Sequence, residues 1–389
     1  MTAPPRERIR VLIVDDSALV RKSITDALSQ DPEIEVVGAA CDPYVAREKI
    51  LRFDPDVLTL DMEMPRMDGL TFLKILMRHH PLPVVVVSSL TQAGSQAALD
   101  AMEAGAVDVL AKPDGTMSIG SLGARLAYHV KAAAASNRFA KRRSGARSTV
   151  DLPMEPDPTA AAAAVRGGDA PAAARIQSPA AALPRLAAVG RVDPRQLVVI
   201  GASTGGVEAL RTILPRLPAD LPPIAVVQHI SAYFSQVVAN RLNAICGYEV
   251  REAEDGMELR RGSCVIAPGD HHLAVVWQGG GYRARLLQSP PIHHCRPAVD
   301  VLFRSAAEAA GPRVVAALLT GMGSDGAIGM QAIRAAGGRT IAEDEKTCVV
   351  YGMPRAAIEL GAAEQVVPLP GIAEAIVKAV AGKAILPAV

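Results

Sequence analysis

The sequence predicts an α/β protein in which a long linker joins two parallel-sheet domains. Two regions, residues 8–136 and 193–389, alternate short apolar runs with helical patterns. Such alternation is typical of parallel strands that helices cover on both faces. The segment between them, residues 137–192, is rich in alanine and proline and lacks this alternation. A chain of 389 residues is also too long for one ordinary domain.

Five apolar runs in the first region are the predicted strands. They are IRVLIV (9–14), IEVVGAA (34–40), VLTL (57–60), PVVVVSS (83–89) and VDVLA (107–111). Apolar residues recur at helical spacing after Ser17 and again after Gly69. Five strands separated by helices predict a doubly wound domain of the flavodoxin-like kind.

The middle segment lacks the composition of a folded domain. Residues 140–192 contain no aromatic residue, and residues 153–184 are mostly alanine and proline. Such a segment buries too little apolar surface to offset the entropy lost on ordering. We therefore predict that residues 137–192 form a disordered linker.

The third region predicts a second doubly wound domain. Its strand candidates are LVVIG (197–201), IAVVQH (224–229), VVAALLT (314–320) and RTIAED (339–344). Between residues 248 and 289, short strand-like pieces alternate with glycine turns. This change of pattern predicts a β-hairpin inserted into a parallel-sheet domain.

Composition limits the function classes. The formal net charge of +1, from 41 basic and 40 acidic residues, gives no electrostatic case for binding nucleic acid or a membrane surface. The five scattered cysteines indicate reduced thiols. The N-terminal residues form no apolar signal region, and no apolar run is long enough to span a bilayer. We expect a soluble cytoplasmic protein without membrane insertion.

Polar residues end the predicted strands of the first region. Asp15 and Asp16 end the first strand, Asp61 the third and Ser88 the fourth, and Lys112 follows the fifth. Ligands of doubly wound sheets lie at the carboxyl ends of the strands, so these side chains should converge. Clustered carboxylates repel one another unless a cation neutralises them, and oxygen ligands suit Mg²⁺. Asp61 could then attack a phosphoryl group, whose oxygens Lys112 and Ser88 would bind.

A second constellation follows the strands of the third region. Ser203 stands in a G-x-S-x-G pattern after a strand and before a predicted helix at 204–217, as in a nucleophile turn. The alternative, a phosphate-binding loop, lacks Gly-Lys-Ser/Thr, and the next strand ends in His229 instead of an acid. A histidine there can take a proton from a serine. Backbone N–H groups at the start of the helix are candidate oxyanion donors.

Asp325 is the predicted third member of this constellation. It lies in the glycine-rich loop after VVAALLT, at the same edge of the sheet. Its rivals lie in the hairpin region, in a helix or on an outer strand, and are Asp255, Asp270, Asp300 and Asp344. The order Ser, His, Asp differs from that of α/β-hydrolases, which predicts an independent α/β serine hydrolase.

The remaining histidines and cysteines leave a zinc site as an alternative. The soft ligands concerned are His271, His272, His293, His294, Cys295 and Cys264. Adjacent ligands are unusual for zinc, so a polar rim around a cleft is the favoured interpretation.

The motifs of both regions resemble known families. VLIVDDSALVRKSI, DVLTLDMEMPRMDGLTFL, PVVVVSSL and DVLAKP resemble the receiver domain of response regulators. IGASTGGVEAL, VVQHI, APGDHH, HHCRPAVDVLF, LLTGMGSDGAIGM and CVVYGMPRAAI resemble the chemotaxis protein-glutamate methylesterase family, CheB. The resemblance covers everything except the linker, in that family's domain order.

For the first region, the resemblance implies phosphorylation of Asp61 by a partner histidine kinase. It implies Mg²⁺ held by Asp16, Asp61 and the backbone carbonyl of Glu63, with Asp15 in support. The implied switch hydroxyl and phosphate-pairing lysine are Ser88 and Lys112.

For the third region, the resemblance implies that Ser203 is the nucleophile, His229 the base and Asp325 the orienting acid, with Met322 beside the active site. It implies hydrolysis of glutamate γ-methyl esters, and deamidation of glutamines, on methyl-accepting chemotaxis receptors, without a cofactor in this domain. We expect the receiver to restrain the esterase until it is phosphorylated.

Two other functions remain open at this point. The third region could be a non-catalytic module whose glycine loop binds a nucleotide or a phosphoprotein. It could also be a phosphorylation-gated esterase for another protein or a small ester.

Overall fold

The computed structural model describes residues 8–89, 91–112, 119–136, 184–190 and 193–382. The chain divides into two compact units between Ala182 and Leu183. Most of the predicted linker, 137–192, lies outside the described residues. Among the described residues, no helix is both long and apolar enough to cross a membrane.

The first unit is a five-stranded parallel sheet in the order β2-β1-β3-β4-β5, which confirms the predicted flavodoxin-like fold. The strands are β1 (Ile9–Val14), β2 (Ile34–Ala40), β3 (Val57–Asp61), β4 (Val84–Ser88) and β5 (Asp108–Ala111). The helices are α1 (Ala18–Leu28), α2 (Pro43–Phe53), α3 (Gly69–His79), α4 (Gln92–Glu103) and α5 (Ile119–Ala134). Every residue of β3 and β4 is buried, as expected for strands that helices cover on both faces.

Side-chain caps fix where the first three helices begin. Ser17, Asp42 and Asp68 each accept a hydrogen bond from a backbone N–H two or three residues further on. Such a cap stabilises a helix by about 1 kcal/mol. Helix α1 therefore begins directly after Asp15 and Asp16, which leaves both acids at the carboxyl edge of the sheet.

The second unit contains a seven-stranded parallel sheet in the order β15-β14-β13-β6-β7-β10-β8. Its strands are β6 (Leu197–Ala202), β7 (Ile224–Gln228), β8 (Glu249–Glu252), β10 (Ser263–Ile266), β13 (Val314–Leu318), β14 (Arg339–Glu343) and β15 (Gln365–Val367). Its helices are α6 (Gly206–Ile213), α7 (Ala232–Ile245), α8 (Val299–Ala310), α9 (Ala327–Ala335), α10 (Met353–Glu359) and α11 (Leu369–Val380).

The predicted inserted hairpin is present as β11 (His272–Gln278) and β12 (Gly281–Leu287), which pair antiparallel. With β9 (Glu258–Leu259) they form a separate three-stranded sheet. Two other pieces of the same stretch, β8 and β10, belong instead to the main parallel sheet. The run Cys264–Ile266 in β10 is buried without interruption, which is typical of a parallel strand and not of a half-exposed hairpin.

Residues 184–190, which the sequence assigns to the linker, are hydrogen-bonded to the second unit. Leu186 N–H donates to the Arg216 carbonyl at 2.8 Å. The N–H groups of Val189 and Gly190 donate to the Asp220 carboxylate at 3.1 and 3.0 Å. These bonds tie the chain to the second unit before β6 begins.

In each unit the order of the strands reverses between two neighbours. In the first unit the reversal lies between β1 and β3, and in the second between β6 and β13. Loops leave such neighbours in opposite directions and open a crevice at the carboxyl ends of the strands. The predicted site residues flank these two crevices.

Candidate active site and phosphorylation site

Ser203 follows the last residue of β6 and is held by its own backbone. Its N–H donates to the Thr320 carbonyl beyond β13 at 2.9 Å, and its carbonyl accepts from Gly206 N–H at 2.7 Å. The Gln228 side chain also donates to that carbonyl, at 2.8 Å. These bonds connect the ends of β6, β7 and β13, so the position of Ser203 is set by the sheet.

Two glycines make the turn after Ser203 possible. Gly205 has φ of 78°, a left-handed conformation that favours glycine, and a Cβ there would also collide with Val349. A Cβ on Gly206 would collide with the Gln228 side chain. Helix α6 consequently begins at Gly206, two residues after the predicted start, and a 3₁₀ turn follows it at Leu214–Arg216. The Gly206 N–H, one of the expected oxyanion donors, already donates a hydrogen bond to the Ser203 carbonyl.

His229 lies between Ser203 and Asp325. Its Nδ1 is 3.0 Å from Ser203 Oγ, and its Nε2 is 2.7 Å from Asp325 Oδ2. The carboxylate can only accept, so Nε2 carries the hydrogen, and Nδ1 is the nitrogen that faces the serine hydroxyl. The structure therefore brings all three sequence-predicted residues into one hydrogen-bonded chain.

Asp325 is fixed by the N-terminus of helix α8. Its Oδ2 accepts from Val299 N–H at 2.7 Å, and its Oδ1 accepts from Asp300 N–H at 2.9 Å. Helix N-termini leave such N–H groups without intrahelical partners and favour negative charge. The carboxylate thus stays ionised and keeps a fixed orientation towards His229, although it is only 2% exposed.

The charges around His229 perturb its titration. Burial alone lowers the pKa of the imidazole, but the electrostatic effect of the nearby Cys295 sulfur and the hydrogen bond to Asp325 outweigh it and raise the pKa to about 10. Burial raises the pKa of Asp325, yet the bonds from His229, Asp300 and Val299 bring it below its ordinary value. The site therefore stabilises an imidazolium–carboxylate pair, the state that forms when Ser203 gives up its proton.

The predicted acidic cluster is assembled in the first unit. The carboxylates of Asp15, Asp16 and Asp61 each offer an oxygen within 4.8 Å of the others. Lys112 Nζ lies 2.7 Å from Asp61 Oδ2 and 3.0 Å from Asp15 Oδ2. Three clustered carboxylates are a suitable donor set for a hard divalent cation such as Mg²⁺.

The other predicted residues of this cluster lie close by. Glu63 N–H donates to Asp61 Oδ1 at 3.2 Å, and the Glu63 carboxylate accepts from Ser89 Oγ at 2.8 Å. Ser88 is buried at the end of β4, and its carbonyl accepts from Lys112 N–H at 2.7 Å. Because Val87 pairs with Asp61 in the sheet, Ser88 lies next to the end of β3.

Burial and like charge raise the pKa of Asp61 above its ordinary value. Burial is the largest cause, and the negative charge of Asp15 adds to it, whereas the hydrogen bond from Lys112 opposes it. Burial lowers the pKa of Lys112, but the two carboxylates outweigh this effect and raise it. Lys112 thus stays protonated and can pair with added negative charge at Asp61.

Two family models match the chain. The CheB methylesterase model matches residues 198–376, and the response regulator receiver domain model matches residues 11–119. The first range contains Ser203, His229 and Asp325, and the second contains the acidic cluster.

Curated relatives align with almost the whole chain. Protein-glutamate methylesterase/protein-glutamine glutaminase 2 of Syntrophus aciditrophicus is 45% identical and is matched over 96% of this chain and 99% of its own length. Protein-glutamate methylesterase/protein-glutamine glutaminase 4 of Anaeromyxobacter dehalogenans is 47% identical over 98% of both chains. This chain belongs to the protein-glutamate methylesterase/protein-glutamine glutaminase family. The CheB methylesterase catalytic domain of Thermotoga maritima, a solved structure, is 44% identical, covers 47% of this chain and 97% of its own, and gives a TM-score of 0.46.

In this methylesterase-family chain, Cys295 lies beside the candidate active site, whereas the sequence placed it among possible zinc ligands or in the polar rim of a cleft. Its Sγ lies 3.4 Å from Nδ1 of His229, the nitrogen that also faces Ser203. Cys295 closes a tight turn with Ile292, in which His293 and His294 have φ of 51° and 63°. A left-handed backbone conformation at a histidine cannot be predicted from the pattern of apolar residues, so the sequence did not reveal this contact.

The described histidines and cysteines do not form the alternative zinc site. Fully buried His272 accepts from Ala298 N–H at 3.1 Å and contacts the Pro290 carbonyl, which is a structural role. His293 pairs with Asp300 at 3.2 Å. Within the described part of the chain, the groups with metal-binding geometry are the acidic cluster and His293 with Asp300 and Asp325. In that second group Asp325 is already bound to His229 and to helix α8.

Thr320 and Glu343 form a further pair of residues that supports the turn at Ser203. The Thr320 hydroxyl donates to the Thr204 carbonyl at 2.9 Å, and its N–H donates to the Glu343 carboxylate at 2.8 Å. Burial raises the pKa of Glu343 above its ordinary value. Glu343 ends β14, so the rule that strand ends carry the site could have indicated it.

Proposed function

We propose that this protein hydrolyses glutamate γ-methyl esters and deamidates glutamines on methyl-accepting chemotaxis receptors, and that phosphorylation of Asp61 activates it. The proposal rests on the hydrogen-bonded chain Ser203–His229–Asp325 at the carboxyl edge of the second sheet. It accords with the names of relatives that match almost the full length of the chain.

In the first step, Ser203 Oγ attacks the γ-carbonyl carbon of the methylated glutamate. His229 Nδ1 takes the hydroxyl proton, and Asp325 stabilises the imidazolium through Nε2. The carbonyl electron pair moves to oxygen, and N–H groups at the turn after β6 are candidate donors to that oxyanion, assisted by the α6 dipole. The C–O bond to the methoxy group then breaks, and His229 returns the proton so that methanol leaves.

In the second step, water hydrolyses the acyl-enzyme. His229 takes a proton from the water, whose oxygen attacks the acyl carbon, and the ester bond to Ser203 breaks. His229 returns a proton to Ser203, and the receptor side chain leaves as a glutamic acid carboxyl group, which releases its remaining proton to the solvent. When the substrate is glutamine, the C–N bond breaks in the first step, and ammonia leaves in place of methanol.

In the first unit, Asp61 is the proposed phosphoryl acceptor and a histidine kinase the proposed donor. Asp16, Asp61 and the backbone carbonyl of Glu63 would hold Mg²⁺, with Asp15 in support. Bound Mg²⁺ neutralises charge between the carboxylates and the phosphoryl oxygens. Lys112 and Ser88 would bind those oxygens, and Lys112 would exchange its present ion pairs for one with the phosphoryl group.

A cytoplasmic location is part of the proposal. Cys41, Cys246, Cys264, Cys295 and Cys348 are all free thiols. Unpaired cysteines are usual in a reducing compartment. The receptor glutamates and the kinase would have to be accessible from that side of the membrane.

The experiment that tests this function is methanol release from methylated receptor. The protein and its Ser203→Ala variant are compared with and without a small phosphodonor and Mg²⁺. We expect release that the phosphodonor increases and that Ser203→Ala abolishes. Folded protein that releases no methanol under any condition would refute the esterase assignment, and calorimetric titration with nucleotides would then test the binding-module alternative.

A further inference from the structure

An elongated groove of about 1020 Å³ runs along helix α8 in the second unit. One wall is the face of α8 that carries Val301, Arg304 and Glu308, and the other is the β11–β12 hairpin. Residues four apart on a helix lie on one face, so this wall extends over roughly two turns. The volume is at the upper end of the range for small-ligand pockets, about 300–1,000 Å³.

Large apolar side chains are exposed around this groove. Trp277, Leu287, Ile292 and Ile328 line it, and each is between 37% and 45% exposed. Single exposed apolar residues are common on protein surfaces, but several around one groove are typical of a binding surface.

The groove also carries unbalanced positive charge. Arg285 and Arg304 form no ion pair with any described residue, and the Arg195 guanidinium stacks over Trp277 at 5.4 Å. Of the two acids in the lining, Asp300 is buried and accepts from Gly329 N–H at 2.7 Å. Only Glu308 remains to oppose the arginines, so the groove favours an acidic occupant.

One end of the groove lies close to the proposed active site, because residues that line it are near neighbours in the chain of residues at that site. Ile292 and His293 line it, and the same turn brings Cys295 to 3.4 Å from His229 Nδ1. Ile328 lines it from helix α9, three residues after Asp325. A polypeptide seated in the groove would therefore continue towards Ser203 within a few residues.

We propose that this groove binds the acidic, amphipathic stretch of substrate protein that flanks the methylated glutamate. Apolar residues of that stretch would pack against Trp277, Leu287 and Ile292, and its carboxylates would pair with Arg285 and Arg304. The inference rests on the proposed esterase function and adds to it the chemistry by which a protein substrate is selected.

The test uses the full chain and three substrates. Two are helix-forming peptides with one glutamate γ-methyl ester, flanked in one by glutamates and in the other by lysines at the same positions. The third is the γ-methyl ester of N-acetylglutamate, which is too small to reach the groove. Methanol release is measured for the unchanged protein, for Arg285→Glu/Arg304→Glu and for Trp277→Ala. Arg251→Glu, an exposed arginine on β8, is the matched control.

We expect the double charge reversal to raise KM for the acidic peptide by about tenfold, with kcat within twofold. It should lower KM for the lysine-flanked peptide and leave hydrolysis of the small ester unchanged. Trp277→Ala should raise KM for both peptides, and the effect of charge should fade as salt is raised. Arg251→Glu should alter none of these values.

Three outcomes would overturn the docking proposal. One is equal loss on all three substrates, because the variants would then act on the catalytic site or the fold. The second is an unchanged KM for both peptides in every variant. The third is an equal change in KM for both peptides on charge reversal, because complementarity would then play no part. If even the unchanged protein hydrolyses no ester, the esterase function itself fails, which is distinct from these outcomes.

Discussion

Cys295 and Asp325 both contact the imidazole of His229 and raise its pKa, and their effects on its reactivity differ. Asp325 stabilises the imidazolium through Nε2, which is useful in the transition state. Cys295 contacts Nδ1, the atom that must be free of a proton before Ser203 can react. Because both raise the pKa of His229, to about 10, the base is protonated below that pH, and esterase activity should fall as pH drops through that pKa.

The first residue-scale prediction concerns Cys295→Ala. Removal of the sulfur removes one of the contacts that raise the pKa of His229, so that pKa should fall and the acid limb of the kcat–pH profile should move to lower pH. The measurement is methanol release over a pH series, with Cys246→Ala as a control that leaves the limb in place. A limb that stays where it was in Cys295→Ala would show that the thiol does not set the charge of the base.

The second residue-scale prediction concerns Asp325→Asn. The amide cannot accept from His229 Nε2 and from both N–H groups of α8, so the imidazole loses its orientation. We expect kcat to fall on the order of ten-thousand-fold, the loss seen when a triad acid becomes an amide. Thermal unfolding should show a Tm decrease of only a few degrees. Retention of more than a tenth of the activity would contradict the orienting role.

At the scale of elements, the ends of the strands explain both what the sequence revealed and what it did not. Ser203, His229 and Asp61 could be predicted because each ends an uninterrupted apolar run, and parallel strands bring such ends together. The bonds from α8 to Asp325 could not be predicted, since the segment before that helix has no periodic pattern. Strand β10 was grouped with the hairpin because periodicity does not assign four-residue strands to a sheet.

The element-scale prediction concerns Gly205→Ala in the turn between β6 and α6. A Cβ there meets Val349 and an unfavourable left-handed backbone, so the turn should shift and displace Ser203. We expect at least a tenfold loss of kcat and a stability loss of about 1–2 kcal/mol or more. The control is Gly361→Ala, where φ is 64° but a Cβ meets nothing within 4 Å. Because its backbone strain is similar, Gly361→Ala should lower the free energy of unfolding, measured with denaturant, by a similar amount. Its kcat should be unchanged. Equal kcat losses in both variants would argue against a specific role for the turn.

At the scale of the whole molecule, each of the two described parallel sheets has neighbouring strands between which the strand order reverses, and each of these reversals carries one constellation. In the first unit the clustered charges of Asp15, Asp16 and Asp61 would need a cation to neutralise them before the proposed phosphoryl transfer. In the second unit the proposed mechanism passes each proton through His229, from Ser203 to the leaving group and from water back to Ser203, and Asp325 would supply the balancing charge. The proposed regulation therefore couples a metal-dependent phosphorylation in the first unit to an ester hydrolysis in the second unit, in which the His229 side chain carries the protons.

This difference leads to a prediction for metal removal. A chelator such as EDTA should abolish the increase in methanol release that a small phosphodonor produces, because Asp61 cannot be phosphorylated efficiently among unneutralised carboxylates. The basal rate without phosphodonor should be the same with and without the chelator. Asp61→Asn, assayed in Mg²⁺, should be as unresponsive to phosphodonor as the chelated protein, and hydroxylamine-labile acyl phosphate should be absent from both. Stimulation that survives either treatment would place the activating event outside Asp61, whereas a basal rate that the chelator lowers would mean that a metal also acts at the esterase site.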